Sequence, residues 1–451
     1  MKKLIYLFAA ALFCTPQIHS QMQTVVATPA NDFLNSIGAV SSVSRRGETV
    51  EGSIESVRYM GMRWLRSGYE DNAPIEDFIR FHNETGALIC YGLLSGHSDL
   101  ERLLNDARKL AGVGALLSIE GLNEPNNWGI TYQGEKGGAK NSWMAVARLQ
   151  SDLYNAVKND PVLKSYPVWM PSETGAQTDN VGMQFLTIPE GANTLMPAGT
   201  KYADYACCHN YISHPSWPGL HDNQAWLSSM PGKGCPVDGL YGNYGLTWAK
   251  KFPGYSEEEL ETLPRVTTET GFAISKKEGV TEEIQARLYL SIYLSQFKRG
   301  WKHTAIYLLK GRENEPEHES YAFYTLDYKP KLAAHYLHNF TAILADKESI
   351  KTPGTLVYSI TPRPEAVHDL LLQKSDGTLA LIVWGEKYAA GSKPETVEVK
   401  FDRKYSDVRI YNPAQYDPAN PEKGVQPVQK KKNVLSVKLS MLDNPYIIEI
   451  K

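Results

Sequence analysis

A chain of 451 residues is longer than one ordinary domain and leads to an expectation of two or three. Hydrophobic residues at 42% and charged residues at 22% describe a soluble globular protein. A formal charge of −3, with no basic stripe and no acidic tail, argues against nucleic acid or an anionic membrane surface as the partner.

The first 20 residues have the layout of a secretory signal peptide: Lys2 and Lys3, an apolar core from Leu4 to Phe13, and a polar end at Ile18-His19-Ser20. The apolar run is too short for a bilayer span, which takes roughly 20 residues. Bulky Phe13 ahead of Cys14 disfavours a lipid anchor, so the expected location is periplasmic or extracellular. No later segment reads as a membrane span. Cys90, Cys207, Cys208 and Cys235 remain in the exported chain, where a bridge is chemically possible. Either member of the vicinal pair Cys207-Cys208 is a candidate to reach Cys235, and no Cys-x-x-Cys suggests zinc.

From about residue 33 to 340, short apolar runs alternate with helix-like stretches. The expected strands are 35–43, 62–66, 87–93, 115–119, 168–171, 205–209, 266–269 and 304–309, and the clearest helices are 142–158 and 281–297. The second of these opens with Thr281-Glu282-Glu283, a cap followed by an acidic first turn. Eight strands with intervening helices predict a (β/α)8 TIM barrel over residues 21–345. The competing doubly wound sheet lacks a Gly-rich loop after its first strand. Insertions near 173–200 and 210–262 are expected to wall the barrel mouth.

After residue 345 the pattern becomes short alternating runs at 355–360, 368–373, 379–384, 396–401, 408–411, 434–439 and 446–450, with a turn at Ser375-Asp376-Gly377. These predict an antiparallel β-sandwich over 346–451. Residues 419–432, with Pro421 and Lys430-Lys431-Lys432, are expected to form a solvated loop.

Chemistry concentrates at strand ends. The apolar run that ends in Asn123-Glu124-Pro125 leaves a carboxylate at the mouth of the fourth strand, and about 145 residues later Val266-Thr267-Thr268-Glu269 does the same for the seventh. Two such carboxylates suit glycoside hydrolysis, one as proton donor and one as nucleophile or base. Arg66 ends the second strand, and His209 and Tyr211 end the sixth.

Asn123-Glu124-Pro125, His209-Asn210-Tyr211 and Glu269-Thr270-Gly271, in this order, together with Arg66, resemble clan A of the glycoside hydrolases, retaining enzymes on a (β/α)8 barrel. The run Leu370 to Trp384 is similar to the small β-domain that trails many such barrels. The resemblance implies Glu124 as acid/base, Glu269 as nucleophile, and neither metal nor organic cofactor. Arg66 and Tyr211 are then expected to keep Glu269 ionised, and Glu124 to carry the raised pKa. Asn123 is expected to bond the sugar 2-hydroxyl. Trp128, Trp217, Trp226 and Trp248 fall in expected mouth loops and offer stacking faces for sugar rings. Glu120 reads as a structural carboxylate inside the barrel, and Glu173, at the end of the fifth strand, as a decoy. The sequence departs from the clan at the eighth strand, where Tyr307-Leu308-Leu309-Lys310-Gly311-Arg312 replaces the usual tryptophan. Lys310 and Arg312 point either to an anionic substrate or, the preferred reading, to pairing with Glu313, Glu315 and Glu317.

The expected function is therefore exported, retaining hydrolysis of an equatorial, β-D-type bond in an oligo- or polysaccharide. Two alternatives stand beside it: an inactive barrel that binds carbohydrate, and a metal-dependent hydrolase with Glu124, Glu173 and His209 as ligands.

Overall fold

The computed structural model describes residues 21–69, 73–125, 127–138, 144–174, 201–212, 219–230 and 262–451. Trp217, Trp248, Cys235, residues 1–20 and most of both long insertions lie outside the described residues.

Eight parallel strands form the barrel: β1 (Ile37–Val40), β2 (Trp64–Gly68), β3 (Leu88–Leu93), β4 (Leu116–Leu122), β5 (in two pieces, Val168–Trp169 and Glu173–Thr174), β6 (Ala206–His209), β7 (Arg265–Thr270) and β8 (Trp301–Ile306). The expected single fifth strand is broken. Val168–Trp169 pairs with β4, and Glu173–Thr174 pairs with β6. β8 returns to β1 through Thr304 opposite Ile37, and an isolated bridge from Trp169 to Tyr205 spans the gap left beside β6. Every residue of β1 and β2 is buried, because helices cover the outside and side chains fill the inside.

Local signals set the helix limits. Thr49 Oγ1 accepts from Gly52 N at 3.1 Å to start Val50–Met60, and Gly61, in the left-handed region at φ +66°, stops it. Thr281 caps Glu282–Lys298 as expected, accepting from Ile284 N at 3.2 Å. At the N-terminal end of the barrel, Trp64 and Trp169 meet edge to face at 5.9 Å, and His303 lies against both rings. Gly38 is required there, since a Cβ would lie 2.3 Å from the Trp64 indole. This end is sealed, and chemistry is left to the other.

The C-terminal region is a sandwich of a four-stranded and a six-stranded sheet. Leu356, Ile360, Leu381, Val399, Phe401 and Ile448 fill the space between the sheets. Alternate residues on the outer face of the six-stranded sheet, Leu370, Leu372, Ile382, Trp384 and Ile447, belong to the barrel's own core. Its central strands are thus buried on both faces, which is why 370–372 and 379–384 read as unbroken apolar runs.

Two expectations fail here. Residues 23–29, expected in the barrel, join the sandwich instead: Gln23–Val26 pairs antiparallel with Thr355–Thr361, and Thr28–Pro29 pairs with Val367–Gln373. Exposure of Gln23, Thr24 and Val26 hides that strand from a search for apolar runs. Within the expected loop at 419–432, Pro427–Lys431 is an edge strand on Val408–Tyr411. Its charged, solvent-facing residues suit an edge, and its proline begins the strand, where no ladder donor is needed.

Candidate active site

The mouth residues are held by the strand ends themselves. Glu124 N donates to Ser172 O at 2.8 Å, fixing the end of β4 against the break in β5. Glu124 lies at φ +42°, and Asn127 N and Trp128 N both donate to its carbonyl, so the chain turns sharply at this residue. A non-glycine residue in this region is held there by its surroundings.

Arg66 organises the interior. Its Nε and Nη2 donate to Glu120 Oε2 and Oε1 at 2.7 and 3.0 Å, Nη2 also reaches Asn123 Oδ1 at 2.7 Å, and Nη1 reaches Glu269 Oε1 at 2.7 Å. Burial opposes its charge, but Glu120 and Glu269 hold the guanidinium pKa well above its ordinary value. Glu120 is thus the structural carboxylate expected from the sequence. Gly92 makes room for it, because a Cβ there would lie 2.9 Å from the Glu120 Cβ. The Tyr211 hydroxyl donates to Glu269 Oε2 at 2.8 Å, and burial followed by the Glu269 charge keeps that hydroxyl protonated.

His209 joins the two mouth carboxylates. Its Nδ1 lies 2.8 Å from Glu124 Oε1 and 3.6 Å from Glu269 Oε2, and its Nε2 lies 3.1 Å from Thr268 Oγ1. Asn127 Nδ2 donates to Glu124 Oε2 at 2.7 Å. Within this cluster Arg66, Glu120 and His209 side chains are at most 3% exposed, whereas Glu124 and Glu269 are 13% and 11% exposed. A ligand in the mouth therefore meets the two carboxylates first. One oxygen of each lies within 4.8 Å of the other.

The raised pKa expected for Glu124 is not found. Burial does push it up, but the hydrogen bond and charge of His209, with help from Asn127 and Arg66, outweigh burial and hold the carboxyl below its ordinary value. The side chain that His209 faces is not readable from its place at a strand end.

Glu124, His209 and Glu269 also form a triad whose composition would suit a metal. Three of its four carboxylate oxygens, however, already accept from a protein donor, one of them a guanidinium at 2.7 Å, and the fourth, Glu124 Oε1, faces His209 Nδ1 at 2.8 Å. A further cation beside Arg66 fits this arrangement poorly. Glu173, the third ligand of the metal alternative, pairs its backbone with Cys208, and its side chain lies outside what is described.

Of the expected platforms, Trp128 is 50% exposed and follows Glu124 by one turn. Trp226 is not at the mouth: it stacks on His368 of the sandwich at 4.1 Å, under the Arg299 guanidinium at 3.8 Å. At the eighth strand Tyr307 stands beside Tyr211, with ring centroids 6.4 Å apart. Arg312 and Arg46 both pair with Glu315 at 3.2 Å, while Lys310 donates to Gly311 O. Arg46, Arg312 and Glu315 border a cavity of about 260 Å³ lined also by Gly47, Glu313 and Asn314. Pairing with Glu315 thus holds for Arg312, but Lys310 does not join it. Thr268, Asn127 and Ser95, which accepts from Asn123 Nδ2 at 2.9 Å, were not expected from the sequence. None of the three stands out in the sequence. Cys207 is a buried thiol with Sγ 3.2 Å from Thr268 Oγ1.

No family model matches the sequence, and no curated protein matches it. Solved structures do. A family 39 glycoside hydrolase of Bacteroides cellulosilyticus WH2 aligns at TM-score 0.55 and 14% identity, over 93% of this chain and 82% of that one. A monomeric β-xylosidase of Caulobacter crescentus CB15 aligns at TM-score 0.55 and 13% identity, over 94% and 97%. A family 51 α-L-arabinofuranosidase of Bifidobacterium longum aligns at TM-score 0.55 and 12% identity, over 96% and 99%. The barrel and its trailing sandwich are the fold that these glycoside hydrolase structures share with this chain.

Proposed function

We propose that the chain is an exported retaining glycoside hydrolase that cleaves an equatorial, β-D-type bond in an oligo- or polysaccharide by double displacement. The observation that carries this reading is the pair of part-exposed carboxylates within 4.8 Å, each held by different donors. Carboxylate oxygens this close are compatible with a retaining pair, whose carboxyl groups stand roughly 5–5.5 Å apart. The layout of residues 1–20 supports export.

Glu269, its oxygens oriented by Arg66 and Tyr211, attacks the anomeric carbon. The bond to the leaving oxygen breaks as that oxygen takes a proton from the Glu124 side, giving a glycosyl ester on Glu269. Esterification removes the charge on Glu269, so Glu124 ionises more readily and accepts the proton of the water that cleaves the ester. Asn123 commits Oδ1 to Arg66 and one Nδ2 hydrogen to Ser95, leaving a second hydrogen for the sugar 2-hydroxyl. Trp128 offers a face to the leaving-group sugar.

The test is hydrolysis of a panel of aryl β-xylosides, β-glucosides, β-glucuronides and α-L-arabinofuranosides together with β-linked polysaccharides. The expected result is turnover that Glu269→Ala removes and that azide restores as a glycosyl azide. Turnover by Glu269→Ala at the wild-type rate would sink the nucleophile assignment. A wild-type activity lost to chelator and restored by zinc would favour the metal reading of Glu124, His209 and Glu269 instead.

A further inference from the structure

We propose that Thr268 and Glu120 are positioning residues that fix the tautomer of His209, so that His209 and Glu124 act together as one acid holding a single proton. The kinetic part of this inference rests on the glycosidase reading above; the tautomer itself does not.

The argument is a count of hydrogens. Glu120 Oε1 and Oε2 both accept N–H groups from Arg66, and Oε1 accepts the Thr268 hydroxyl proton at 2.8 Å as well. With that proton committed, Thr268 Oγ1 has only lone pairs left, and the Cys207 thiol at 3.2 Å is placed to donate to one of them. His209 Nε2, 3.1 Å from the same oxygen, must therefore carry a hydrogen. In the neutral ring Nδ1 is then bare. Its 2.8 Å contact with Glu124 Oε1 joins two acceptors unless one proton lies between them. That proton sits on oxygen in a carboxylic acid facing a bare nitrogen, or on nitrogen in an imidazolium facing a carboxylate. Asn127, donating to Oε2, excludes the other oxygen as its place. The opposite tautomer would point a permanent Nδ1 hydrogen at a plain carboxylate, with no proton to give.

In the first chemical step the shared proton leaves the pair for the glycosidic oxygen as the C–O bond breaks. In the second, the proton of the attacking water returns to it. The groups around the pair are Arg66 from β2, Cys90 from β3, Glu120 from β4, Cys207 from β6, Tyr211 just beyond it, Glu269 from β7, and Tyr307 just beyond β8. Burial pushes the Cys90 and Cys207 thiols and the Tyr211 and Tyr307 hydroxyls upward, so these four stay neutral through the working range. An apparent pKa on the basic side of the rate profile then belongs to the pair and not to Glu124 alone.

The experiment combines imidazole ¹⁵N spectra of the full chain, with His209 assigned by its loss in His209→Gln, and a leaving-group series of aryl glycosides. In wild type, Nε2 is expected to carry hydrogen throughout and Nδ1 to share one. Thr268→Val should mix the tautomers and move the basic limb of kcat/KM. It should slow phenyl glycosides by about tenfold to a hundredfold, part of the ~10²–10⁴ that a general acid contributes, while leaving dinitrophenyl glycosides, which need no acid, within about twofold. Thr268→Ser, which keeps the hydroxyl, should restore the wild-type spectrum and profile. Equal slowing across all leaving groups with an unchanged tautomer would reduce Thr268 to packing and overturn the proposal. If Thr268→Val does not fold, a wild-type spectrum with bare Nε2 overturns it alone. If wild type cleaves no glycoside, the glycosidase reading falls and the spectra still decide the tautomer.

Discussion

Arg66 is buried between Glu120 and Glu269, and its guanidinium is the group on which both carboxylates depend. Breaking a buried ion pair from one side leaves a stranded charge, so Arg66→Met should destabilise the fold by about 3–5 kcal/mol. A urea unfolding midpoint close to wild type would mean that water already solvates the cluster. Arg66, Glu124, His209, Tyr211 and Glu269 were legible in the sequence because each terminates or follows a short apolar run, and parallel strands of a barrel end at one face. The bonds among them were not. Thr268 looks like any β-branched strand residue until its neighbour is seen to be an imidazole, and the direction of the Glu124 pKa depends on two neighbours, His209 and Asn127, that spacing cannot place.

At the scale of elements, the short helix Gln224–Ser228 after β6 is gripped by the sandwich. Trp226 N donates to buried Glu386 Oε2 at 3.0 Å, and Asn223 Oδ1 meets His368 Nε2 at 2.8 Å. The helix in turn ties to the segment bearing Tyr211, through Gln224 Nε2 to Ile212 O at 2.7 Å and Asn210 Nδ2 to Ser228 O at 3.1 Å. His368 is pushed down to about 3 by burial and then by Arg363 and Arg299, and His303, in the sealed end of the barrel, to about 4 chiefly by burial. An unfolded histidine takes its proton near ~6.5. Below that value the unfolded chain binds protons that the native chain refuses, so stability should fall as pH drops from about 6.5 towards about 4. Urea midpoints at pH 7 and pH 5 check this, and His368→Gln should shrink the difference to the part that His303 contributes; equal midpoints for wild type would contradict it. This grip was illegible because Trp226 sits in a stretch rich in glycine and aromatics, the signature equally of a mouth loop and of a docking segment. The edge strand Pro427–Lys431 escaped for a related reason, since lysines that protect an edge look like those of a loop.

At the scale of the whole molecule, the alternation of strands with helices and then strands with turns made both architectures readable, but not the way they share a core. The outer face of the six-stranded sheet is an interior surface of the barrel, with Trp384 fully buried and Leu370, Leu372 and Ile382 beside it. A fragment of residues 30–345 should therefore expose a broad apolar patch and aggregate when expressed, which light scattering would reveal; a monodisperse fragment would show that the barrel covers this face by itself. The strand at Gln23–Val26 adds a further consequence. Because it pairs with Thr355–Thr361, the barrel is a guest inserted between the opening strand of its host and the rest of that host. Joining those strands in an otherwise unfolded chain closes a loop of roughly 330 residues, at a cost of about 5 kcal/mol in chain entropy. The folded guest removes most of that cost by bringing its own two ends together, Phe33 lying against Phe340 with ring centroids 5.8 Å apart. Host and guest therefore lend each other stability twice, once through the shared interface and once through the entropy of closure.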